Sequence, residues 1–538
     1  MPPIDLENLV QPDRVHKSVY TDQALFDLEM EHIFEKAWVY CGHESQVKEV
    51  GDYFTMQIGR QPMVMVRDVD RSVRVLYNRC PHRGVELCGN QSGNTGKGFV
   101  CSYHAWSFHL NGKVKAIPLV KGYDGTRMHT DDADCSMVPA ARVDSYRGFV
   151  FASLSKEGPS LIDFLGEAKI AFDDMCDRSP VGEVEAVPVC HRVVQHSNWK
   201  FFMENQLDAL HPSVTHQSTG VSARRVEQRL KKDTGSAPLF FHYLSTFASS
   251  FDQWDSVQTV NFKYGHGILK AYMGLRPTDP DTVEYEALIK KAYGEEKGEE
   301  YLARSIHHVL IYPYLSVQSP LQQLRCLRPM APNKTLSEIW HFRLKGVPEA
   351  IYERSLWYFN LVNSPATMIN ADDFYGDSAF ASLAQGLTAR PKDWMMVAYP
   401  IELTLSEHGG VNRGLCQVEH GQLRSVAEWL NIQAQDDGFV GEGPMGLAKL
   451  PSQSLVSMTC WGFSPSIFDV IKQQLTAFIE QQGQLPKSEC YLPAVVQAAI
   501  EQGVPVYVDV ASEPWLGVTY PQDTVWVKQK LMELLGDK

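Results

Sequence analysis

Four metal-binding side chains occur as two similar pairs in the first part of the chain. Cys80 and His82 lie in the run Cys-Pro-His-Arg-Gly, and Cys101 and His104 lie in the run Cys-Ser-Tyr-His-Ala-Trp. Two cysteines and two histidines could hold a structural zinc ion. They could also hold a [2Fe–2S] cluster in which two thiolates bind one iron and two imidazoles bind the other. Because both pairs lie in predicted loops between strands, the pattern strongly indicates a metal site of one of these two kinds.

A second group of polar side chains lies in residues 198–216, which read Asn-Trp-Lys-Phe-Phe-Met-Glu-Asn-Gln-Leu-Asp-Ala-Leu-His-Pro-Ser-Val-Thr-His. The part before the proline suits a helix. Glu204, Asp208 and His211 then share one face, because their spacing is i, i+4 and i+7. The proline should end this helix, since its ring clashes and it has no N–H, and His216 should follow in a turn. Two imidazoles and a carboxylate in an apolar frame suit a divalent first-row metal ion.

The segments around the Cys–His pairs predict a small all-β domain over residues 37–155. Strands are predicted at 63–66, 73–77 and 149–154, and the dipeptide Asn111-Gly112 is a strong hairpin signal. From residue 156 onward the pattern mixes helices and strands. We therefore predict an α+β fold in which the small all-β domain is inserted into a larger domain of antiparallel sheet and helices.

Bulk composition limits the possible partners. The chain has 538 residues, 44% hydrophobic content and a formal net charge of −14. Such a chain can build large cores, and its acidic balance argues against nucleic acid or an anionic membrane as the main partner. We find no signal peptide and no apolar run of membrane-spanning length, so we expect a cytoplasmic protein. Its 11 cysteines are spread irregularly, which in a reducing compartment favours metal ligands and core thiols over disulfides.

Both groups of residues resemble one family. The Cys–His loops resemble those of Rieske domains in ring-hydroxylating oxygenases, and residues 31–46 resemble the entry to that domain. Asn198-Trp-Lys, with the acids and histidines that follow it, resembles the family's catalytic signature. Unlike Rieske proteins of respiratory complexes, the chain has no cysteine in the second loop to pair with Cys88. It is identified as similar to α (large) subunits of aromatic ring-hydroxylating oxygenases, up to about residue 435.

The resemblance implies two metal sites. These are a Rieske [2Fe–2S] cluster on Cys80, His82, Cys101 and His104, and a mononuclear Fe(II) on His211, His216 and Asp373. The family has two adjacent acids near its last iron ligand, and the second of them binds the iron. Asp372 and Asp377 are the nearest competitors for that position.

The resemblance also implies the roles of neighbouring residues. Asp208 connects the iron site to His104 of the next subunit, Asn198 belongs with the catalytic residues, and Glu204 lies behind the iron ligands. The substrate is expected to contact Phe202, Leu207 and residues of the segment 218–300. The implied assembly contains at least three α subunits, either as a homotrimer or as α3β3.

The expected function is that of a terminal oxygenase. It would use O2, and electrons relayed from NAD(P)H through a reductase or ferredoxin, to hydroxylate an aromatic substrate, with aromatic acids among the candidates. Two alternatives are a Rieske monooxygenase or demethylase on another substrate and a non-catalytic Rieske electron carrier. A carrier would not need His211, His216 and Asp373.

The domains predicted from the sequence are residues 1–36 as the N-terminal part of the catalytic domain, 37–155 as the Rieske domain, 156–435 as the catalytic domain and 436–538 as an α/β extension. The extension resembles the C-terminal part of bacterial sugar-nucleotide transferases. That resemblance lies in Val456-Ser-Met-Thr-Cys-Trp-Gly-Phe, Lys487-Ser-Glu-Cys-Tyr-Leu-Pro and Trp515-Leu-Gly-Val-Thr-Tyr. The Gly-rich nucleotide loop of those enzymes is missing, so we predict no transferase activity. We also expect a chain cut after residue 435 to leave a folded oxygenase.

Overall fold

The computed structural model divides the chain into two compact units. Unit 1 comprises Met1–Val221 and Pro238–Ser364, and unit 2 comprises Ser222–Ala237 and Pro365–Lys538. The structure describes residues 6, 8–126, 128, 133–208, 210–248, 257–270, 276, 278–304, 308–363, 375, 377–435, 438–482, 490–517 and 522–535.

Unit 1 begins with a short ribbon, two helices and an all-β region. The ribbon and helices are β1 (Val10–Gln11), β2 (Arg14–Val15), α1 (Ser18–Thr21) and α2 (Gln23–Glu29). The strands that follow are β3 (Val39–His43), β4 (Asp52–Ile58), β5 (Gln61–Arg67), β6 (Val73–Tyr77), β7 (Ser92–Asn94), β8 (Phe99–Val100), β9 (Ser107–Phe108), β10 (Val114–Ala116), β11 (Arg142–Tyr146) and β12 (Phe149–Ser153). They form sheets in the orders β6-β5-β4-β7, β11-β12-β3 and β10-β9-β8. The predicted all-β domain is confirmed, including the hairpin of β9 and β10, in which Gly112 has a φ of +86°.

The rest of unit 1 is built on one antiparallel sheet. Its strands are β13 (Val184–Gln195), β14 (Gln258–Asn261), β15 (Gly267–Lys270), β16 (His308–Ile311), β17 (Leu315–Gln318), β18 (Gln323–Ala331) and β19 (Lys334–Leu344). They lie in the order β13-β19-β18-β17-β16-β15-β14. The helices in this part of the chain are α3 (Leu161–Leu165), α4 (Ile170–Asp177), α5 (Trp199–Leu207), α6 (Pro212–Thr215), α7 (Gln217–Thr234), α8 (Leu239–Ser245), α9 (Pro280–Tyr293), α10 (Glu295–Ala303) and α11 (Glu349–Val362). The α+β class is therefore confirmed.

The two faces of this sheet have different neighbours. On one face Trp340 contacts Phe54 of the all-β region edge-to-face, with ring centroids 5.6 Å apart. On the other face Ser316 of β17 donates a 3.0 Å hydrogen bond to Gln206 of α5. Side chains alternate between faces along a strand, so one sheet packs against the all-β region and also supports α5. The sheet thus supports α5, the helix that carries the second group of polar residues.

Unit 2 contains a second seven-stranded sheet. Its elements, together with part of α7, are α12 (Asp377–Ala389), β20 (Trp394–Pro400), β21 (Val411–Glu419), β22 (Gln422–Gln435), β23 (Gly438–Gly443), β24 (Gly446–Leu450), β25 (Leu455–Gly462), α13 (Ile467–Gln482), α14 (Leu492–Glu501), β26 (Val506–Val510) and α15 (Asp523–Leu535). The strand order is β21-β25-β20-β26-β22-β23-β24. Among the described residues, no helix is long and apolar enough to cross a membrane.

The predicted boundary between residues 435 and 436 falls inside this second sheet. Gln435 of β22 pairs with Gly438 of β23, so the two strands belong to one hairpin. Strands β20 to β22, which the sequence assigns to the catalytic domain, lie in the same sheet as β25 and β26. The structure therefore divides the chain near residue 365, because strand pairing between distant segments holds 394–510 together.

We expect a chain truncated after residue 435 to have an unstable unit 2, instead of the folded product that the sequence predicts. The cut removes β25 and β26, which are the two neighbours of β20. Met396 and Tyr399 of β20 are fully buried in the intact sheet. Burying an apolar side chain of that size is worth about 1.5–3 kcal/mol, and the truncated chain loses several such contributions.

Limited proteolysis with mass spectrometry checks this expectation. Peptides from residues 377–435 should be released much faster from the truncated chain than from the full chain. Peptides from unit 1 in the same digest serve as the internal control. Equal resistance of 377–435 in both chains would show that these strands do not need the later ones.

Candidate functional site

The two Cys–His loops have the same backbone hydrogen bonds. In each loop the cysteine N–H donates to the carbonyl five residues later, and the N–H four residues later donates back to the cysteine carbonyl. These bonds are 2.8 Å long except for the last one in the second loop, which is 3.0 Å. The fourth residue after the cysteine is left-handed in both cases, Gly84 with φ +74° and Ala105 with φ +57°. A left-handed alanine costs roughly 1–2 kcal/mol, so the surrounding loop must hold this conformation in place.

The thiols of the two loops lie side by side in the domain core. Cys80 is 1% exposed and Cys101 is 3% exposed. Burial raises the pKa of the Cys80 thiol, and the neighbouring Cys101 thiol adds to the rise. A buried thiol pair of this kind is costly to ionise unless a bound cation compensates the charge, and a coordinated metal does so.

The two imidazoles also lie next to each other. The rings of His82 and His104 are 4.6 Å apart between centroids. Nδ1 of His82 is buried and has no hydrogen-bond partner among the described residues. Burial lowers the pKa of His82, and the charge of His104 lowers it further. A buried ring nitrogen with an available lone pair, beside another imidazole, suits a metal ligand.

Thiol beside thiol and imidazole beside imidazole is the pairing that a Rieske cluster requires. Each iron of that cluster takes two protein ligands of one kind. In the part of the chain that the structure describes, no group of three His, Cys, Asp or Glu side chains is arranged around a single metal-sized site. The four residues named from the sequence fit the [2Fe–2S] group because their two thiols are adjacent and their two imidazoles are adjacent.

Helix α5 begins at a buried cap. Asn198 is 3% exposed, and its Oδ1 accepts a 3.1 Å hydrogen bond from the Lys200 N–H. Its Nδ2 donates to the carbonyls of Tyr20 and Pro332 at 3.1 and 2.8 Å. The side chain expected among the catalytic residues is thus used to cap α5 and to tie it to two other segments. Asn198 is a positioning residue.

The N-terminal segment also holds α5 along one side. Glu29 accepts hydrogen bonds from the Trp199 indole at 3.0 Å and from the Lys200 ammonium at 2.6 Å. Tyr20 donates a 2.8 Å hydrogen bond to Glu204. Glu204, which the sequence places behind the iron ligands, is exposed and bound to this segment instead. The segment 18–29 therefore braces the helix from outside.

The chain after α5 differs from the prediction. Helix α5 ends at Leu207, and Asp208 has extended backbone with ψ 108°. Pro212 is the first residue of α6, so it starts a helix instead of ending one. Proline suits this position because its missing N–H would have no partner there and its φ is already helical. Asp208 and His211 contact each other across this turn. Neither lies on α5, so the prediction that they share a helix face with Glu204 is wrong.

The turn fixes one histidine. Nδ1 of His211 lies 3.0 Å from the backbone oxygen of Asp208 and 3.5 Å from its carboxylate. A proton on Nδ1 that faces these oxygens leaves the lone pair on Nε2. In the structure Nε2 lies 3.1 Å from the side-chain amide of Asn205, which donates to it. A metal ion at Nε2 would take the lone pair that now accepts this hydrogen bond.

The second histidine lies beside the first. The rings of His211 and His216 are 5.5 Å apart between centroids, and Phe247 packs on His216 at the same distance. Nδ1 of His216 is buried and has no hydrogen-bond partner among the described residues. Burial lowers the pKa of His216, with a further contribution from His211. Two adjacent imidazoles, each with a ring nitrogen that a metal ion could take, fit a mononuclear metal site.

The structure brings together most of the predicted site residues. The four cluster ligands converge, and Asp208, His211 and His216 form a second group. Asp372 and Asp373 lie outside the described residues, as does the side chain of Asp377. Sequence reasoning gave Asn205 no role, although an amide six residues before a candidate ligand, on an apolar helix, was the available signal.

Two family profiles match the chain. The Rieske [2Fe-2S] domain matches residues 37–139, and the ring hydroxylating alpha subunit (catalytic domain) matches residues 184–376. The first match begins where the sequence predicts the all-β domain. The second match ends at residue 376, whereas the sequence predicts that the resemblance continues to about residue 435.

Relatives of known identity match about three fifths of the chain. The toluate 1,2-dioxygenase α subunit of Pseudomonas putida is 33% identical over 350 residues, covering 63% of this chain and 74% of that protein. The anthranilate 1,2-dioxygenase large subunit of Acinetobacter baylyi is 34% identical over 326 residues, covering 60% and 67%. The solved structure of naphthalene 1,2-dioxygenase with indole bound aligns with a TM-score of 0.55 at 28% identity, covering 65% of this chain and 75% of that chain.

Replacing His211 by alanine should remove one metal centre and leave the other intact. We expect the iron content to fall from about three to about two per chain, while inorganic sulfide stays at about two. The visible spectrum of the cluster should be unchanged, and turnover should be lost. Iron and sulfide assays, with absorption spectra, measure both effects.

His196→Ala is the matched control because His196 is an exposed histidine that precedes α5. This variant should keep all iron and all activity. Loss of the cluster spectrum in His211→Ala would contradict the assignment of two separate centres.

Proposed function

Because this chain belongs to the family of ring-hydroxylating oxygenase α subunits, which are iron-dependent oxidoreductases, we propose that it hydroxylates the ring of an aromatic carboxylate with O2. It acts as the terminal oxygenase, and its electrons come from NAD(P)H through a reductase or ferredoxin. The observation that carries this proposal is the pair of sites described above, one with two thiols and two imidazoles and one with two imidazoles beside α5.

The residues of each site have defined tasks in this proposal. Cys80, Cys101, His82 and His104 hold the cluster, and His211 and His216 hold the mononuclear iron together with Asp373. When bound, the cluster supplies single electrons and the mononuclear Fe(II) activates O2 beside the substrate. The protein orients the imidazoles and keeps water from the ligands.

Asp208 is proposed to connect the two kinds of site between subunits. The Asp208 side chain is 49% exposed, and its carboxylate lies 3.5 Å from Nδ1 of His211. One of its oxygens accepts hydrogen bonds from the N–H groups of Leu210 and His211 at 2.9 and 3.3 Å, which fixes its direction. His104 is exposed at the tip of the second loop. An exposed carboxylate and an exposed imidazole suit a contact between neighbouring copies in an α3 or α3β3 ring.

The substitution Asp208→Asn tests this connection. Asparagine keeps an oxygen for the two N–H groups and removes the charge. We expect both irons to remain and reoxidation of the reduced cluster by O2 and substrate to slow by about 10–100-fold or more, as is typical when a partner of a metal ligand is lost. Stopped-flow absorption of the cluster measures this rate.

Glu204→Gln serves as the control because Glu204 is another exposed acid, on α5 and four residues before Asp208, and its partner among the contacts described above is Tyr20. It should reoxidise at the wild-type rate. A wild-type rate in Asp208→Asn would rule out the bridging role.

The sheet beneath α5 carries a buried cation, which we propose lies near the substrate. Arg325 of β18 is 7% exposed, and its guanidinium lies 4.3 Å from the ring centroid of Phe202 on α5. It donates a 2.8 Å hydrogen bond to the amide oxygen of Asn363. Burial lowers the pKa of Arg325 to about 9, so the guanidinium remains charged at neutral pH. A guanidinium beside an aromatic ring matches a benzene ring that carries a carboxylate.

The names of two relatives agree with an acidic substrate, whereas the biphenyl dioxygenase α subunits at 30–32% identity are named for a compound without a carboxylate. The proteins at 33% and 34% identity are named for toluate and anthranilate, both aromatic carboxylates, and the benzene 1,2-dioxygenase α subunit of Pseudomonas putida is 29% identical. Phe202 and Leu207, which the sequence analysis expects to contact the substrate, both lie on α5. A methyl group of Leu207 approaches Gly267 of β15. We propose that the substrate contacts Phe202 and Leu207 beside this contact between α5 and the sheet.

Replacing Arg325 by methionine should weaken the binding of aromatic acids more than that of uncharged aromatic compounds. We expect the KM for benzoate to rise about 10–100-fold, because a charge-assisted hydrogen bond is worth about 1.5–3 kcal/mol. Turnover of toluene, which has no carboxylate, should change little. Steady-state rates with product analysis for both compounds measure the ratio. An equal loss for both compounds would show that Arg325 has only a structural role.

The electron donor is proposed to dock beside the cluster. The segment 79–126 exposes six basic side chains around the loops: Arg79, Arg83, Lys97, Lys113, Lys115 and Lys121. Its acids are only Glu86 and Asp124. A basic surface in a chain of net charge −14 favours an acidic reductase or ferredoxin at this place.

The domain limits remain proposals. Residues 37–155 are assigned to the Rieske domain, and residues 1–36 join the catalytic domain because α1 and α2 contact α5. For unit 2 we propose no nucleotide transfer, because the Gly-rich loop expected of such enzymes does not occur in the sequence.

A further inference from the structure

The imidazole of His82 lies between two aromatic side chains. The Trp106 ring stacks on it at a centroid distance of 4.9 Å and an interplanar angle of 1°. Tyr123 stands at 85° to both of these rings. The Tyr123 hydroxyl lies 3.5 Å from Nε2 of His82. The two ring nitrogens of His82 therefore differ in their surroundings. Nε2 faces the Tyr123 hydroxyl, whereas Nδ1 is buried and has no hydrogen-bond partner among the described residues.

These surroundings indicate which ring nitrogen can bind a metal and which one carries the proton. Nδ1 is the nitrogen available to a metal. A neutral imidazole bound to a metal through Nδ1 carries its proton on Nε2. The Nε2–H then points to Tyr123, whose oxygen accepts the hydrogen bond. Tyr123 is held by its own turn, because the Thr126 hydroxyl donates a 2.6 Å hydrogen bond to the Tyr123 carbonyl.

The other cluster histidine has a different environment. His104 is exposed, and apart from His82 its nearest ring contact among the described residues is with Tyr103, which is 61% exposed, at a centroid distance of 3.8 Å. His104 is thus open to a partner, whereas His82 is enclosed by Trp106 and Tyr123. The two imidazoles of the cluster are inequivalent in this chain.

We propose that Tyr123 is a positioning residue that lowers the reduction potential of the cluster by accepting the Nε2–H of His82. A hydrogen-bond acceptor on the outer nitrogen makes the imidazole a stronger donor to its iron, which favours the oxidised state. Hydrogen bonds to the ligands and solvent exposure are among the factors that set such potentials. The inference rests on the proposed assignment of the cluster to the two Cys–His loops.

Tyr123→Phe tests the proposal because it removes the hydroxyl and keeps the ring against His82 and Trp106. The cluster potential is measured by spectroelectrochemical titration of the full chain, read from the electron paramagnetic resonance signal of the reduced cluster. Only loaded chains give this signal, so incomplete loading does not affect the measured potential. We expect a potential higher than that of the wild type.

Tyr103→Phe is the matched control. It removes a hydroxyl from the aromatic ring beside the other histidine, and its potential should equal that of the wild type. An unchanged potential in Tyr123→Phe, or an equal rise in both variants, would overturn the proposal. A wild-type chain with no cluster signal would instead overturn the assignment of the cluster, so the two failures are distinguishable.

Discussion

The buried hydrogen bonds at the start of α5 are the interactions on which the iron site depends. Asn198 caps the helix and binds the carbonyls of Tyr20 and Pro332, which come from opposite ends of unit 1 in the sequence. Glu29 adds hydrogen bonds from Trp199 and Lys200. An amide or charge buried with its partners in place is stable, but it becomes costly when one partner is removed. The helix therefore has one position relative to the sheet, and the turn after it delivers both histidines.

The same physical rule governs the imidazoles of both sites. In His211 the inner nitrogen faces the oxygens of Asp208, which leaves Nε2 for a metal. In His82 the outer nitrogen faces Tyr123, which leaves Nδ1 for the cluster. In each case an oxygen atom lies opposite the nitrogen that keeps its proton when the other ring nitrogen binds a metal. We propose that residues which do not bind the metal themselves tune metal affinity and electron donation in this way.

The sequence predicts the local features well and the long-range ones poorly. The Cys–His loops are short and lie between alternating strands, so residue types and spacing identify them without the fold. The role of Pro212 depends on where α5 ends, and a proline is compatible with either end of a helix. The bond between Glu204 and Tyr20 and the pairing of Gln435 with Gly438 join segments that local patterns do not connect. For this reason the domain boundary and the direction of Glu204 could not be predicted.

The central claim is that one chain carries a Rieske cluster and a separate mononuclear iron. The most direct measurement is electron paramagnetic resonance on the reduced, anaerobically purified chain, before and after addition of nitric oxide. Two independent signals are predicted: the spectrum of a reduced cluster with two imidazole ligands, and a high-spin Fe(II)–nitrosyl signal that appears only with nitric oxide. A chain that gives neither signal, and that contains stoichiometric zinc bound by the Cys–His loops, would contradict this claim.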